Sequence, residues 1–224
     1  YLETVRIRSA GTPERPIVFR AAPGERPFFG AKDLGLVFQV VSKPDIRFDG
    51  LYFDGGFWDK VMIVRQSPRV QVTRCLNIMI GADECPDLLA RNCIVRGGWS
   101  GLRLGRSPGS LAENNVFIMT ILRHLEGDGI LARNNIFCEC IRGKAHQTLL
   151  SLGERAVESN NCFYIRWPED EKLAVNNRTL PEYRARTGSD AFAANPMMPG
   201  VPGWSQGWQR TQVQDFTDCF ATNP

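Results

Sequence analysis

The segments SLAENNVF at 110–117 and ILARNNIF at 130–137 match each other position by position. LLARNCIV at 88–95 and AVESNNCF at 156–163 carry the same pattern, in which one or two asparagines separate two short apolar runs. The last asparagine of each segment serves as an anchor, and the anchors follow one another at steps of 23, 20 and 26 residues: Asn92, Asn115, Asn135 and Asn161. Repeats at such a period indicate a solenoid.

Other parts of the chain extend this repeat. IRFDGLYF at 46–53 fits with Gly50 in the anchor position, whereas VTRCLNIM at 72–79 fits poorly. Between the anchors lie strand-like segments with alternating apolar residues: VMIVRQS at 61–67, GLRLGRS at 101–107 and TLLSLGE at 148–154. Each period therefore holds about three short strands, and no stretch between them has helical periodicity. The leucine-rich repeat spacing is also absent, so the pattern predicts a parallel β-helix.

The anchors also predict which residues stack from coil to coil. The second residue after each anchor forms a mostly aromatic column: Tyr52, Ile94, Phe117, Phe137 and Phe163. The first residue after each anchor forms a mostly aliphatic column: Leu51, Cys93, Val116, Ile136 and Cys162. Asparagine tolerates left-handed turns, and its amide can bond along a stack, so we expect the anchors to be structural. The cysteines are expected to be reduced core residues.

Composition excludes several functional classes. The 224 residues are 43% hydrophobic and 23% charged, which is enough apolar material for a folded core. The net charge is only +3, which argues against a nucleic-acid partner. No apolar run has the length of a membrane span. The sequence opens in the strand-like TVRIR at 4–8 without a signal-peptide pattern, so we expect a mature or excised piece.

The repeat ends near Trp167. We therefore expect a β-helix of about seven coils over residues 1–166. Residues 167–224 are predicted to be an irregular covering tail of the same domain. Within the tail, Thr179-Leu180-Pro181-Glu182 is a capping box and Gly188 is a stop signal, so a helix is predicted near 180–187.

The opening GTPERPIVFRAAPGERP at 11–27, followed by RNCIVRGG, GLRLG, ENNVF and RNNIF, resembles the right-handed parallel β-helix proteins of the pectin-lyase-like class. The resemblance covers residues 4–166. It implies an all-β, right-handed fold and a relationship to secreted polysaccharide lyases and hydrolases. We therefore expect a secreted or periplasmic protein whose partner is a polysaccharide, in particular an anionic one. The oligomeric state stays undetermined.

The candidate binding residues lie in two equivalent turns. FDGGFWDK at 53–60 matches VRGGW at 95–99, so Trp58 and Trp99 fall on corresponding turns of different coils. Exposed tryptophans can stack on sugar rings, and burial beneath the loop is the alternative. Their polar neighbours complete the predicted substrate-binding set: Asp54, Asp59 and Arg96.

The candidate catalytic residues are Lys60, Arg103 and His124. A polysaccharide lyase needs a base beside the uronate and a cation that neutralises its carboxylate, and these residues supply both. Arg103 is expected on an outward strand position, level with Ile63 and with Ser151 later in the chain, although it can also be a merely solvated arginine. His124 is expected in the loop LRHLEGDG at 122–129.

Other reactions and roles stay open. Glycoside hydrolysis is the second choice of reaction, since it needs two carboxylates that the sequence does not bring together. The paired aspartates and the His-Gly of polygalacturonases are absent. No metal-ligand set can be identified, but calcium is a candidate cofactor, because Asp83, Glu84 and Asp87 form a short acidic loop. The alternative to an enzyme is a non-catalytic binding or structural module of a larger surface protein.

Overall fold

The computed structural model describes residues 3–30, 36–54, 61–96, 100–118, 123–138, 150–153, 155–164, 173–175, 178–190 and 192–193. The chain divides into two compact units, Tyr1–Ala194 and Asn195–Pro224. The described residues all belong to the first unit. The proposed boundary between residues 166 and 167 stays a prediction.

Three sheets form the first unit. The first sheet has nine strands in the described residues, and all neighbours are parallel except the last pair. In spatial order its strands are β1 (Val5–Arg6), β4 (Phe38–Val41), β7 (Met62–Arg65), β9 (Ile80–Asp83), β12 (Ser100–Gly105), β15 (Arg123–Gly127), β18 (Leu150–Leu152), β21 (Leu173–Val175) and β22 (Arg178–Thr179).

The second sheet has seven parallel strands in the described part of the chain. They are β2 (Ile17–Arg20), β5 (Ile46–Asp49), β8 (Gln71–Thr73), β10 (Leu89–Arg91), β13 (Leu111–Glu113), β16 (Leu131–Arg133) and β19 (Val157–Ser159).

The third sheet is built from two groups of parallel strands. They are β3 (Phe28–Gly30) with β6 (Tyr52–Asp54), and β11 (Ile94–Arg96), β14 (Val116–Ile118), β17 (Ile136–Cys138), β20 (Cys162–Tyr164) and β23 (Phe192–Ala193). Leu76 bridges Tyr52 on one side and Ile94 on the other, and so connects the two groups. Successive strands visit the three sheets in turn, so the chain is an all-β parallel solenoid, as the repeat predicts.

Short strands are stable here because every coil stacks on the next. Strands of two to six residues bury little apolar surface alone, whereas stacked coils share one continuous core. In that core the rings of Phe117 and Phe137 stack at 4.8 Å, and those of Phe137 and Phe163 at 5.1 Å. These contacts confirm the aromatic column in the later coils.

The earlier coils correct the predicted columns by one residue. Ile94 pairs with Val116, and Val95 pairs with Phe117, so Ile94 belongs to the aliphatic column. Tyr52 lies level with Leu76 and Ile94 in that same column. Cys93 consequently lies level with Asn115, whereas Cys162 pairs with Ile136 as expected. The error arises because the single Asn92 corresponds to the first asparagine of the later pairs, not to the last.

The two asparagines of each pair have different structural roles. The first of each pair has a left-handed backbone, with φ of 54° at Asn114 and 56° at Asn160, and Asn92 shares this conformation at 55°. The second is buried and forms a ladder, in which Asn115 Nδ2 donates to Asn135 Oδ1 at 3.1 Å. The expected structural role of the asparagines is confirmed. VTRCLNIM also belongs to the repeat, since Arg74 has a φ of 52° in the same position.

The predicted helix is present as α1 (Leu180–Thr187). Thr179 Oγ1 accepts from the backbone N–H of Glu182, whose carboxylate accepts from the backbone N–H of Thr179 in return. Gly188 ends the helix with a φ of 68°. The local sequence determines this element because its caps satisfy the free backbone groups at both ends.

The structure describes the side chains of four cysteines: Cys75, Cys85, Cys93 and Cys162. All four are buried and carry free thiols. The expectation that cysteine acts as a reduced core residue is confirmed for these four.

Candidate functional site

A groove of about 410 Å³ crosses the outer face of the first sheet. It spans three neighbouring strands, β7, β9 and β12, which belong to three successive coils. Its lining combines small or apolar residues with charged ones: Ile63, Arg65, Gly81, Ala82, Asp83, Arg103, Gly105 and Arg106.

Backbone register explains how the groove arises. Ile63 pairs with Gly81, and Gly81 pairs with Arg103, so these three residues form one outward column. The inward neighbours of Arg103, which are Leu102 and Leu104, are fully buried. Since glycine has no side chain, the column is lowest at Gly81, between an isoleucine and an arginine. Gly81 thus forms the floor of the groove.

A second outward column runs beside the first. Arg65 pairs with Asp83, and Asp83 pairs with Gly105. A Cβ atom added at Gly105 would lie 3.2 Å from Asp83 Oδ1, so the aspartate side chain extends over that glycine. The second column therefore places a cation on the β7 coil, a carboxylate on the β9 coil and, on the β12 coil, a glycine covered by that carboxylate.

An ion-pair network closes one side of the groove. The guanidinium of Arg106 donates to Asp83 through Nε at 3.0 Å to Oδ1 and through a second nitrogen to Oδ2. Another nitrogen of Arg106 lies 2.9 Å from Glu84 Oε1. Gln66 Nε2 donates to Glu84 Oε2 at 3.1 Å. The network holds Arg106 in one orientation across the β9 and β12 coils.

The groove is positively charged overall. Its lining contains three arginines and one aspartate, and arginine keeps its charge at any physiological pH. The hydrogen bonds from Arg106 hold the pKa of Asp83 below its ordinary value, with Arg65 and Arg103 adding to the effect, while desolvation opposes it. Asp83 is therefore ionised at neutral pH, and the remaining excess of positive charge favours an anionic ligand.

Of the predicted catalytic residues, the structure places Arg103 in this groove. Its register with Ile63 is confirmed, and Ser151 follows in the same column through Glu126. The expectation that His124 lies in a loop is wrong, since His124 lies within strand β15. The segment continues the sheet because Leu125 pairs with Leu102 on one side and with Leu150 on the other. Lys60 lies outside the described residues.

The predicted binding residues are less fully described. Trp58, Asp59 and Trp99 lie outside the described residues. Asp54 is the last residue of β6 and Arg96 the last of β11, in the third sheet and not in the groove strands. Their roles in binding stay predictions.

Sequence reasoning missed part of the groove, namely Arg65, Gly81, Asp83 and Arg106. Arg65 and Arg106 lie in the strand-like segments VMIVRQS and GLRLGRS, where the sequence alone does not distinguish them from solvated arginines. Asp83 was assigned to an acidic loop, whereas it is the last residue of β9. An alignment of GADE at 81–84 with IVRQ at 63–66 and RLGR at 103–106 could have found this strand, because inward Val64, Ala82 and Leu104 then coincide.

Asp83, Glu84 and Asp87, the acidic segment considered for calcium, do not form a metal site among the described residues. Among the described residues there is no group of three or more histidine, cysteine, aspartate or glutamate side chains that could hold a metal ion. Asp83 and Glu84 instead bond to Arg106. Calcium stays a candidate only through residues beyond this segment.

The described part of the chain is a parallel β-solenoid with a basic groove on the outer face of one sheet. Among solved structures, the chain is similar to the alginate lyase from Paenibacillus sp. str. FPU-7, with a TM-score of 0.65 and 18% identity. The match covers 78% of this chain and 69% of that chain. At this identity the likeness shows the fold alone. No family model and no curated protein matches the sequence, so membership of the pectin-lyase-like class stays a prediction.

The helix content adds one observation. In the described part of the chain, no helix has both the length and the apolar character that a membrane crossing requires.

Proposed function

We propose that this chain is a carbohydrate-active protein that binds an anionic polysaccharide in the groove on β7, β9 and β12. The observation that carries the proposal is the groove lining, in which three arginines surround a glycine floor with a single carboxylate. One solved structure with a similar fold is named an alginate lyase, and alginate is a polymer of anionic sugars. The likeness supports the proposal, and the groove supplies the chemistry.

The groove suits such a ligand for two reasons. The planar guanidinium of arginine donates two parallel hydrogen bonds to a carboxylate or a sulfate. A half-buried isoleucine beside a bare glycine gives an apolar surface on which the face of a sugar ring can rest. Charge and shape thus favour an acidic sugar over a neutral one.

The reaction we propose is eliminative cleavage. A base removes the proton from C5, α to the uronate carboxylate, the bond from C4 to the glycosidic oxygen breaks, and a C4–C5 double bond forms. The leaving oxygen takes up a proton. Arg103 would neutralise the carboxylate, and Lys60 or His124 would be the base. His124 lies on the strand next to Arg103, two residues before Glu126, which pairs with Arg103 in the sheet.

The second candidate is a non-catalytic binding module. One observation favours it: the ionisable groups in the described groove lining are three arginines and Asp83. Arginine remains protonated and is a poor base. Asp83 is engaged with Arg106, so the described lining contains a binding set without an evident base. Binding without turnover is the outcome that this candidate predicts.

The deciding experiment offers alginate, pectate and glycosaminoglycans to the purified protein. Ultraviolet absorbance of the unsaturated uronate reports elimination, and calorimetry on the same polymers reports binding. Arg103→Gln should weaken binding to the preferred polymer about tenfold, the loss expected for one charged contact. Arg155→Gln, at an exposed position between β18 and β19, is the matched control and should bind normally.

Each result has a defined meaning. Turnover that disappears in His124→Ala or Lys60→Ala supports the lyase. Binding without turnover supports the module. Reducing-end release without the double bond would support hydrolysis, and loss of turnover with a chelator would support calcium. Absence of binding to every polyanion would contradict the proposal. A polysaccharide substrate outside the cell also fits our proposal of a secreted or periplasmic location.

A further inference from the structure

The groove charges alternate from coil to coil. Arg65 lies on the β7 coil, Asp83 on the β9 coil and Arg103 on the β12 coil. The groove is lined by three successive strands, so a polymer that spans all three coils runs along the solenoid axis. Such a polymer meets a cation, then a carboxylate above a glycine floor, then a second cation.

The spacing of these charges is set by the sheet. Neighbouring strands lie about 4.8 Å apart, so the β7 and β12 coils are separated by about 9.6 Å along the axis. Arg65 and Arg103 are also offset by two residues along the strand direction, about 6.6 Å at the rise of an extended chain. The long arginine side chains can close that sideways offset.

The β9 coil, which lies between the two arginine coils, disfavours an anionic group of the ligand. On the β9 coil the groove is lined by Gly81, Ala82 and Asp83, and the adjacent Glu84 adds a second carboxylate. Asp83 and Glu84 both pair with the single guanidinium of Arg106, and two carboxylates against one cation leave a net negative charge at this coil. A negatively charged ligand group placed there therefore meets like charge. Repulsion at one position with attraction at its neighbours is a means of selecting ligands.

We infer that the groove selects polysaccharides by the spacing of their charges: it takes a flat chain with twofold symmetry whose anionic groups face the protein once every two sugars. This inference rests on the proposed function. An extended chain of equatorially 1,4-linked pyranoses advances by close to one strand spacing per sugar. Its alternate residues point the same way, so one charged group meets each arginine coil. The intervening sugar turns its charge away from Asp83.

Matched hexasaccharides test the inference. A β-1,4-linked mannuronate hexamer is a flat twofold ribbon, whereas an α-1,4-linked galacturonate hexamer of the same charge and composition coils with threefold symmetry. Cellohexaose is a neutral ribbon. By calorimetry we expect the mannuronate hexamer to bind about tenfold more tightly than the galacturonate hexamer, as for one charged contact. Cellohexaose should bind most weakly.

Three variants locate the selection in the groove. Arg65→Gln and Arg103→Gln should each weaken binding of the mannuronate hexamer by a similar factor. Asp83→Asn should narrow the difference in affinity between the two uronate hexamers, since it removes the repulsion at the β9 coil. Arg155→Gln should leave both affinities unchanged.

The outcomes separate the inference from the proposed function. Equal affinity for the two uronate hexamers, or an unaltered preference in Asp83→Asn, overturns selection by charge spacing while leaving polyanion binding in place. Loss of affinity in Arg103→Gln alone, with Arg65→Gln unaffected, also overturns it. Absence of binding to both uronate hexamers overturns the proposed function together with the inference.

Discussion

Arg106 and Asp83 lie on neighbouring coils, and the guanidinium of Arg106 holds the carboxylate of Asp83 through two nitrogens, with 3.0 Å between Nε and Oδ1. They are 23 residues apart in the chain. The pair joins the β9 and β12 coils at the edge of the groove, and it places the one carboxylate of the groove lining beside an arginine. The balance of charge in the groove therefore depends on this pair.

Asp83→Asn should raise the affinity of the protein for anionic polysaccharides. The substitution removes the negative charge from the lining and frees the Arg106 guanidinium from one acidic partner. The gain should be about threefold to tenfold at low salt and should shrink as salt screens it. Calorimetry at two ionic strengths measures it, with Glu25→Gln, an exposed position between β2 and β3, as the charge-matched control. Weaker binding would mean that orientation of Arg106 by Asp83 matters more than net charge.

Gly81→Val should abolish polysaccharide binding without unfolding the protein. The position is an extended one in β9, and its neighbours in register, Ile63 and Arg103, carry full side chains on the same outer face. A β-branched residue there suits the strand but fills the floor of the groove. Calorimetry with the preferred polymer should show no binding, and the circular dichroism spectrum should match that of the unaltered protein. Normal affinity would place the ligand elsewhere.

Asn135→Ala should destabilise the solenoid by about 2–4 kcal/mol, because several buried hydrogen bonds are lost together. Asn135 Oδ1 accepts from Asn115, and Asn135 Nδ2 donates to the carbonyl of Ala112 at 2.9 Å. Urea unfolding measures the change.

The neighbouring exposed residue supplies the control for this change. Asn134 has a φ of 54°, which glycine also adopts, so Asn134→Gly should alter stability by no more than about 0.5 kcal/mol. Equal losses in the two variants would show that the ladder contributes nothing beyond a favourable turn.

Asp45→Asn should lower the unfolding temperature at pH 7 by about 2–4 °C, as for a small loss of stability in a domain of this size. Arg69 Nε and Nη2 each donate to the Asp45 carboxylate at 2.8 Å. Asparagine keeps the left-handed backbone of this position, where φ is 57°. The substitution therefore removes the charge and leaves the turn.

The same pair predicts a pH dependence. The hydrogen bonds from Arg69 lower the pKa of Asp45 below its ordinary value of 3.8 in the folded protein, although desolvation opposes this. A lowered folded-state pKa means that the stabilisation is present above pH 3.8 and is lost as the pH falls through the folded-state pKa. The difference in unfolding temperature between the unaltered protein and Asp45→Asn should therefore shrink between pH 5 and about pH 2. A difference in unfolding temperature that stays constant over this pH range would contradict the prediction.

The buried thiols should be chemically inert in the folded protein. Burial raises the pKa of both Cys75 and Cys85, so little thiolate is present at neutral pH. Iodoacetamide should modify Cys75, Cys85, Cys93 and Cys162 only after denaturation, as peptide mapping by mass spectrometry can show. Rapid labelling of the native protein at these positions would contradict the buried core.

Several features followed from sequence because each depends on neighbouring residues or on a short repeat. The capping box at Thr179 and Glu182 predicted α1 because both partners lie within one turn. The alternation in VMIVRQS and GLRLGRS predicted that Ile63 and Arg103 share a column, since strand side chains alternate with a period of two. These inferences needed no knowledge of where one coil meets the next.

The predictions that failed needed that knowledge. Asn92 was aligned with Asn115, but hydrogen bonding between coils aligns it with Asn114. His124 was assigned to a loop because its own segment carries turn residues, whereas pairing of Leu125 with Leu102 makes it part of a strand. In both cases the deciding interactions come from residues more than 20 positions away.

The sequence by itself determined that this chain forms a parallel β-solenoid, because the short asparagine-marked repeat cannot bury its apolar residues except by stacking. It also determined the helix α1 and the reduced core role of the four cysteines whose side chains are described. Only the tertiary structure decided that Arg65, Gly81, Asp83, Arg103 and Arg106 meet in one groove. The coils differ in length, so residues brought together by stacking have no constant spacing in the chain. Their meeting depends on backbone register between strands, which is set by hydrogen bonds across the whole stack.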